Sequence, residues 1–92
     1  MFLAKVRGTV VSTSKDARLV GCKLLVTQRL GIDGEFVGQP EVSIDTVGAG
    51  VGETVIITKG SSARYASNNP NAASSPIDAT IVGIVDQIEI ER

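Results

Sequence analysis

The chain has 92 residues, nine basic against ten acidic, and a formal net charge of −1. It has no histidine and no tryptophan, and Cys22 is its only cysteine. These counts exclude an intrachain disulfide, the commonest zinc ligand and the usual base of a nucleophilic site.

The length predicts one domain spanning residues 1–92. A chain of this size withdraws roughly 60–65% of its unfolded surface from water, so its core is marginal without help. Oligomerisation is the ordinary remedy once disulfides and metals are excluded. The apolar fraction of 42% against 21% charged residues leaves apolar surface for such a partner to cover. Single-strand nucleic-acid binders need a basic groove and aromatic platforms, but the only aromatics here are Phe2, Phe36 and Tyr65. Lys5 and Arg7 fall where a secretory leader is apolar, and no run approaches the ~20 apolar residues of a membrane span. One unpaired cysteine agrees with a reducing compartment, so the expectation is a soluble cytoplasmic protein.

Phe2, Ala4, Val6, Gly8 and Val10 share one parity, with Lys5, Arg7 and Thr9 opposite, which predicts a half-buried strand over 2–10. Gly8 within it predicts a bulge or bend. Ser12 to Arg18 is polar and reads as a loop, with Lys15 and Arg18 as solvated charges. Lys23–Arg29 predicts a second strand pairing back on the first, with Cys22 a small buried residue at its start. Leu30 to Pro40 holds Asp33-Gly34, a strong turn signal, and predicts a loose hairpin.

Glu41–Asp45 alternates again and predicts a third strand. A turn dense in glycine, Gly48, Gly50 and Gly52, follows and is closed by Glu53. Glu53–Lys59 predicts a fourth strand, and its run Val55-Ile56-Ile57 suggests burial on both faces. Gly60–Tyr65 predicts one or two helical turns with Ser61 or Ser62 as the N-cap. Ala66 to Pro76 lacks apolar periodicity and reads as an exposed loop. Ala79–Glu91 returns to strand, with a break near Val85-Asp86. Five or six short strands with glycine-rich corners and at most one short helix favour a small closed barrel.

Three chemistries can be weighed at the two turns. A dinucleotide fingerprint requires G-x-G-x-x-G before a helix, whereas Gly48-Ala49-Gly50-Val51-Gly52 is misspaced and precedes a strand. Glu53 would also repel a phosphate. A nucleophile elbow, G-x-S-x-G, is broken at Gly60-Ser61-Ser62-Ala63-Arg64, and no histidine is present to act as base. A capped helix start, with Arg64 paired to Asp45 or Glu53, is the simpler reading. For metal, no ligand cluster reaches three residues at credible spacing. Three glycines in five residues exceed the needs of one turn, which favours close backbone approach between subunits.

The chain resembles the vertex proteins of bacterial microcompartment shells, the family shared by carboxysomes and the ethanolamine- and propanediol-utilisation compartments. The resemblance is carried by A-K-V-R-G-T-V-V-S-T at 4–13, G-C-K-L-L-V at 21–26 and D-T-V-G-A-G-V-G-E at 45–53. G-S-S-A-R at 60–64 and P-I-D-A-T-I-V-G-I-V-D at 76–86 complete it. It implies an all-β fold with one short helix, a five-stranded barrel like the oligonucleotide-binding fold, assembled as a cyclic homopentamer. The pentamer would cap five-fold vertices of a polyhedral shell and join hexameric and pseudohexameric facet proteins. No catalysis, cofactor or metal is implied. Asp45, Gly48, Gly50, Gly52, Glu53, Gly60, Ser61, Ser62 and Arg64 are the expected subunit contacts near the five-fold axis. A nucleic-acid-binding barrel is the alternative function.

Overall fold

A computed structural model describes residues 1–13, 15–67 and 76–91. Five strands are described: β1 (Phe2–Val10), β2 (Lys23–Leu30), β3 (Glu41–Asp45), β4 (Thr54–Lys59) and β5 (Ala79–Ile84). They close into a barrel in the order β1-β2-β3-β5-β4. One short helix, α1 (Gly60–Ala66), follows β4. Val, Ile and Thr dominate the strands, as expected of residues that fit a pleated, half-buried surface.

Alternation places one parity of β1, β2 and β4 inside, while β3 contributes Ser43 and β5 changes parity along its length. Ala4, Val6, Leu25, Val55, Ile57, Ala79 and Ile81 form the core, with Phe2 and Ile84 packed at its margins. Two hydroxyls share this interior, Thr27 and Ser43, and satisfy each other at 2.8 Å while Thr27 also donates to the Glu41 carbonyl. No buried side-chain polar atom among the described residues lacks a partner. Outside the barrel lies a second cluster, in which α1 lays Ala63 against Ile44 and Ile77, flanked by Leu19, Cys22 and Leu24. Cys22 is thus half-buried packing.

The bulge predicted near Gly8 is present as a register shift between Val6 and Gly8 against β2. A second shift sits in the β4–β5 pairing, where Ile56 faces Gly83 but Ile57 faces Ile81. It skips Val82, so Ile81 and Ile84 both reach the core although they differ in sequence parity. The loop after β2 is the expected hairpin, turning at Gly34, whose N–H donates to the Gly31 carbonyl at 2.9 Å.

Four expectations need correction. The last strand ends at Ile84, and residues 85–91 are not strand, leaving Ile88 and Ile90 half exposed. Val55 and Ile57 are buried while Ile56 keeps partial exposure, so the subunit covers one face of β4 fully and the other only in part. The polar loop contains a 3-10 turn, Ala17–Leu19, capped by the Asp16 carboxylate, and Arg18 is ion-paired to Asp16 at 2.7 Å. The Arg18 side chain and amide hold the Asp16 carboxyl well below the usual range. Finally, α1 is entered from Lys59, with no side-chain cap. Its backbone runs extended out of β4 into Gly60, whose N–H donates to the Asp78 carbonyl at 3.0 Å, leaving Ser61 and Ser62 inside the first turn. The loop expected at 66–76 lies mostly outside the described residues.

The barrel closes through a parallel contact of only two residue pairs, Ile44 with Thr80 and Asp45 with Ile81. Lys59 reinforces that seam, reaching Glu41 at 2.5 Å and Asp78 at 3.2 Å. Its pKa is raised, first by the hydrogen bond to Glu41 and then, against some desolvation, by Asp78. A cation whose folded pKa is raised stabilises the fold fully below its unfolded pKa and loses that contribution as pH rises through the folded value. Above the ordinary lysine value of 10.5, stability should therefore fall with pH. Lys59→Met should flatten that alkaline slope relative to the parent, as read by urea midpoints between pH 9 and 12.

Candidate functional site

The glycine turn joins β3 to β4, which are not neighbours in the barrel. It is therefore a crossing over the barrel end and not a tight hairpin between neighbouring strands. Ala49 points down from it and is completely buried in the core. Asp45 organises the crossing. Its carboxylate accepts from the Val47 amide at 3.1 Å and the Ala49 amide at 3.0 Å. Lys23, opposite Asp45 in the β2–β3 register, donates to the Ala49 carbonyl at 2.9 Å and lies 3.6 Å from the carboxylate. The Asp45 side chain is 2% exposed.

Glu53 closes the turn by accepting from the Gly50 amide at 2.7 Å. The chain then docks on β1, with the Gly52 amide donating to Val6 and the Val6 amide donating to Glu53, at 2.8 and 3.0 Å. This continues the β1–β4 ladder up to the bulge. The amides of Val47, Ala49, Gly50, Gly52 and Glu53 are all engaged by the chain itself. No cradle of free N–H groups of the kind a phosphate requires is built there.

Gly48 and Gly52 adopt φ of +79° and +93°, which L side chains rarely enter. Gly50 differs. Its φ is not in that region, and an added Cβ would meet only the flexible Glu53 carboxylate, at 3.4 Å. Nothing inside the subunit requires glycine at this position.

The structure does not bring the two predicted turns together. Gly48, Gly50, Gly52 and Glu53 lie before β4, whereas Gly60, Ser61, Ser62 and Arg64 lie after it, at its opposite end. Nor do Asp45 and Glu53 pair with Arg64: Asp45 is taken by Lys23 and its own turn, Glu53 by Gly50. Among the described residues Arg64 forms no salt bridge. The burial of Asp45 within its own subunit also makes it a support of the turn surface and not part of it. Two apolar residues that sequence reasoning passed over, Val47 and Val51, crown the turn at 39% and 63% exposure. Lys23 was also missed, and its signal lay in the parity of Leu24 with Ile44, which sets Lys23 opposite Asp45.

Among the described residues, the rest of the surface offers no alternative chemistry. No group of three potential metal ligands occurs among the described residues. Phe2 and Phe36 carry Arg29 and Arg7 guanidiniums over their rings, each at 4.6 Å, so their faces are occupied.

Comparison with known proteins decides the family. The family described as "Ethanolamine utilisation protein EutN/carboxysome" matches residues 1–86. The microcompartment shell vertex protein PduN of Salmonella typhimurium is 50% identical over 92 residues, covering 96% of this chain and 98% of its own. The chain belongs to the EutN/CcmL family of shell vertex proteins. The carboxysome shell vertex protein CcmL of Thermosynechococcus vestitus is 49% identical, over 96% of this chain and 86% of its own. The solved structure of GrpN from Rhodospirillum rubrum, described as a pentameric microcompartment shell protein, superposes with a TM-score of 0.85. It is 51% identical and covers all of both chains. The family consists of structural shell proteins and not enzymes, and the chain is one of them. The glycine turn and helix start are accordingly surfaces to be judged by packing.

Three substitutions test the division of labour within the turn. Gly52→Ala, forced into left-handed backbone, should cost about 1–2 kcal/mol in a urea melt. Gly50→Ala should leave the subunit's stability within about 0.5 kcal/mol. Asp45→Asn should cost about 1–3 kcal/mol, because one acceptor oxygen of the buried group becomes a donor facing an amide.

Proposed function

We propose that the whole chain, residues 1–92, is one vertex domain that assembles as a cyclic homopentamer. The ring caps the five-fold vertices of a polyhedral microcompartment shell in the bacterial cytoplasm and joins hexameric and pseudohexameric facet proteins at its rim. The observation that carries this reading is the full-length match, at 51% identity, to a shell protein described as pentameric. Physical chemistry supports it independently. A 92-residue barrel is small for a self-sufficient core, and Val42, Val51, Ile32 and Phe36 are all at least half exposed.

The candidate contact residues divide by position. Gly48, Gly50, Gly52 and Glu53 form one surface, supported from beneath by Asp45. Gly60, Ser61, Ser62 and Arg64 form a second at the other end of β4. A ring closed by rotation uses two unlike patches per subunit, one for each neighbour, so candidates at two ends of a strand suit it. The nucleic-acid alternative has no comparable support, since the net charge is −1 and the phenylalanine faces are occupied.

Native mass spectrometry at micromolar concentration should give about 48 kDa, five copies of the 9.6 kDa chain. A monomer throughout that range would rule the ring out. Gly50→Val should lower the pentamer fraction while the barrel's far-UV signal stays intact.

A further inference from the structure

The outer face of the barrel carries an apolar row that the subunit covers only in part. Leu3 faces Leu30 across one ladder and Ile56 across the other, all three pointing away from the core-facing parity of Ala4, Val55 and Ile57. The exposed loop after β2 raises Ile32 and Val37 beside this row, and among the described residues Arg29 supplies the charged side chain that lines the resulting groove of about 540 Å³. That loop is held stiffly. The Gln28 side chain, itself 4% exposed, donates to the Val37 and Gly38 carbonyls at 3.0 and 2.8 Å. Ordering a loop so as to display Ile32 at 68% exposure serves no purpose within the subunit. The unbroken run Val55-Ile56-Ile57 calls for burial on both faces of β4, and its outer face ends in this groove.

A second feature is equally unexplained by the single chain. Val51 stands at the crown of the glycine turn, flanked by Gly50, which no internal demand requires, and by Glu53, the turn's exposed charge. The turn cannot fold back into its own groove, because Gly52 and Glu53 are hydrogen-bonded to Val6, about 10 Å along β1 from Leu3. Its match has to be on another molecule.

We infer that the glycine turn of one copy docks, Val51 foremost, into the Leu3–Leu30–Ile56 groove of the next copy around the ring. The inference rests on the pentamer reading and specifies the contact that closes it. The knob is apolar and the groove is apolar. The acid at the edge of the knob, Glu53, meets the cation at the edge of the groove, Arg29, which remains free to donate at its guanidinium edge while its face lies on Phe2. Gly50 then has a reason: a side chain there would hold the turn off the neighbour's sheet. Knob and groove are unlike and lie on one molecule, as a head-to-tail ring requires, and it is the groove, not the turn at 60–64, that receives the glycine turn.

The test uses the full chain. Ile32→Glu and Val51→Glu alter exposed side chains and leave the barrel core untouched. Each should raise at least tenfold the concentration at which the pentamer dissociates, with circular dichroism unchanged. In a Cys22→Ala background, Ile32→Cys combined with Val51→Cys should give a ladder up to a covalent pentamer on mild oxidation, and either cysteine alone should give none. A pentameric parent that yields no ladder, or either glutamate variant dissociating as the parent does, overturns this contact and leaves the ring reading standing. A parent that is monomeric throughout overturns both.

Discussion

The fold depends on how a short barrel is closed. Strands β1, β2, β4 and β5 are joined by generous antiparallel ladders, but β3 and β5 run parallel and share only two residue pairs. A parallel contact cannot be made by a hairpin, so the chain must travel through β4 and α1 before it returns beside β3. Side chains complete what the backbone leaves short. The Thr46 hydroxyl donates to the Ile81 carbonyl at 2.7 Å, the Thr80 hydroxyl reaches the Ala63 carbonyl at 2.7 Å, and Lys59 joins acids from both sides of the seam. The second apolar cluster, from Ile44 to Ala63 and Ile77, lies against this same side. Helix α1 is best understood as a clamp on the weakest pairing in the barrel.

The glycine turn follows from that topology. Because β3 and β4 are not neighbours, the chain must cross a barrel end, and an open end would expose the core. Ala49 fills it, and Asp45 with Lys23 holds the crossing in shape. A buried carboxylate is tolerated because two amides and a cation satisfy it. Most of the turn's amides, those of Val47, Ala49, Gly50, Gly52 and Glu53, are consumed in building it. A turn so largely spent on itself, and whose crown is valine, is suited to packing.

Much of this was legible in the sequence. Alternation over Phe2, Ala4 and Val6 marks core-facing residues, and Asp33-Gly34 marks the hairpin, but in β3 the apolar parity misleads: Val42 is exposed, Ile44 packs outside the barrel and Ser43 lines the interior. Other features depend on tertiary context that no local pattern holds. The skipped residue at Val82 rephases β5, so parity alone assigns its core residues wrongly. Serines beside a helix start suggest a cap, but the chain enters α1 directly from a strand, leaving no place for one. Lys23 and Asp45 are 22 positions apart and meet only through strand register. The two candidate turns are close in sequence because β4 is short, and that same strand sets them at opposite ends.

Closure of the ladder into a ring of strands has a consequence for the life of the protein before it meets a shell. An open sheet offers its unpaired amides to any passing chain, and a subunit made to associate would be exposed to that hazard throughout synthesis. Here the closed ladder leaves little strand backbone unpaired, and recognition is left to side chains. Free subunits can accumulate without templating one another, and the choice of partner becomes a matter of shape and charge, open to adjustment one residue at a time.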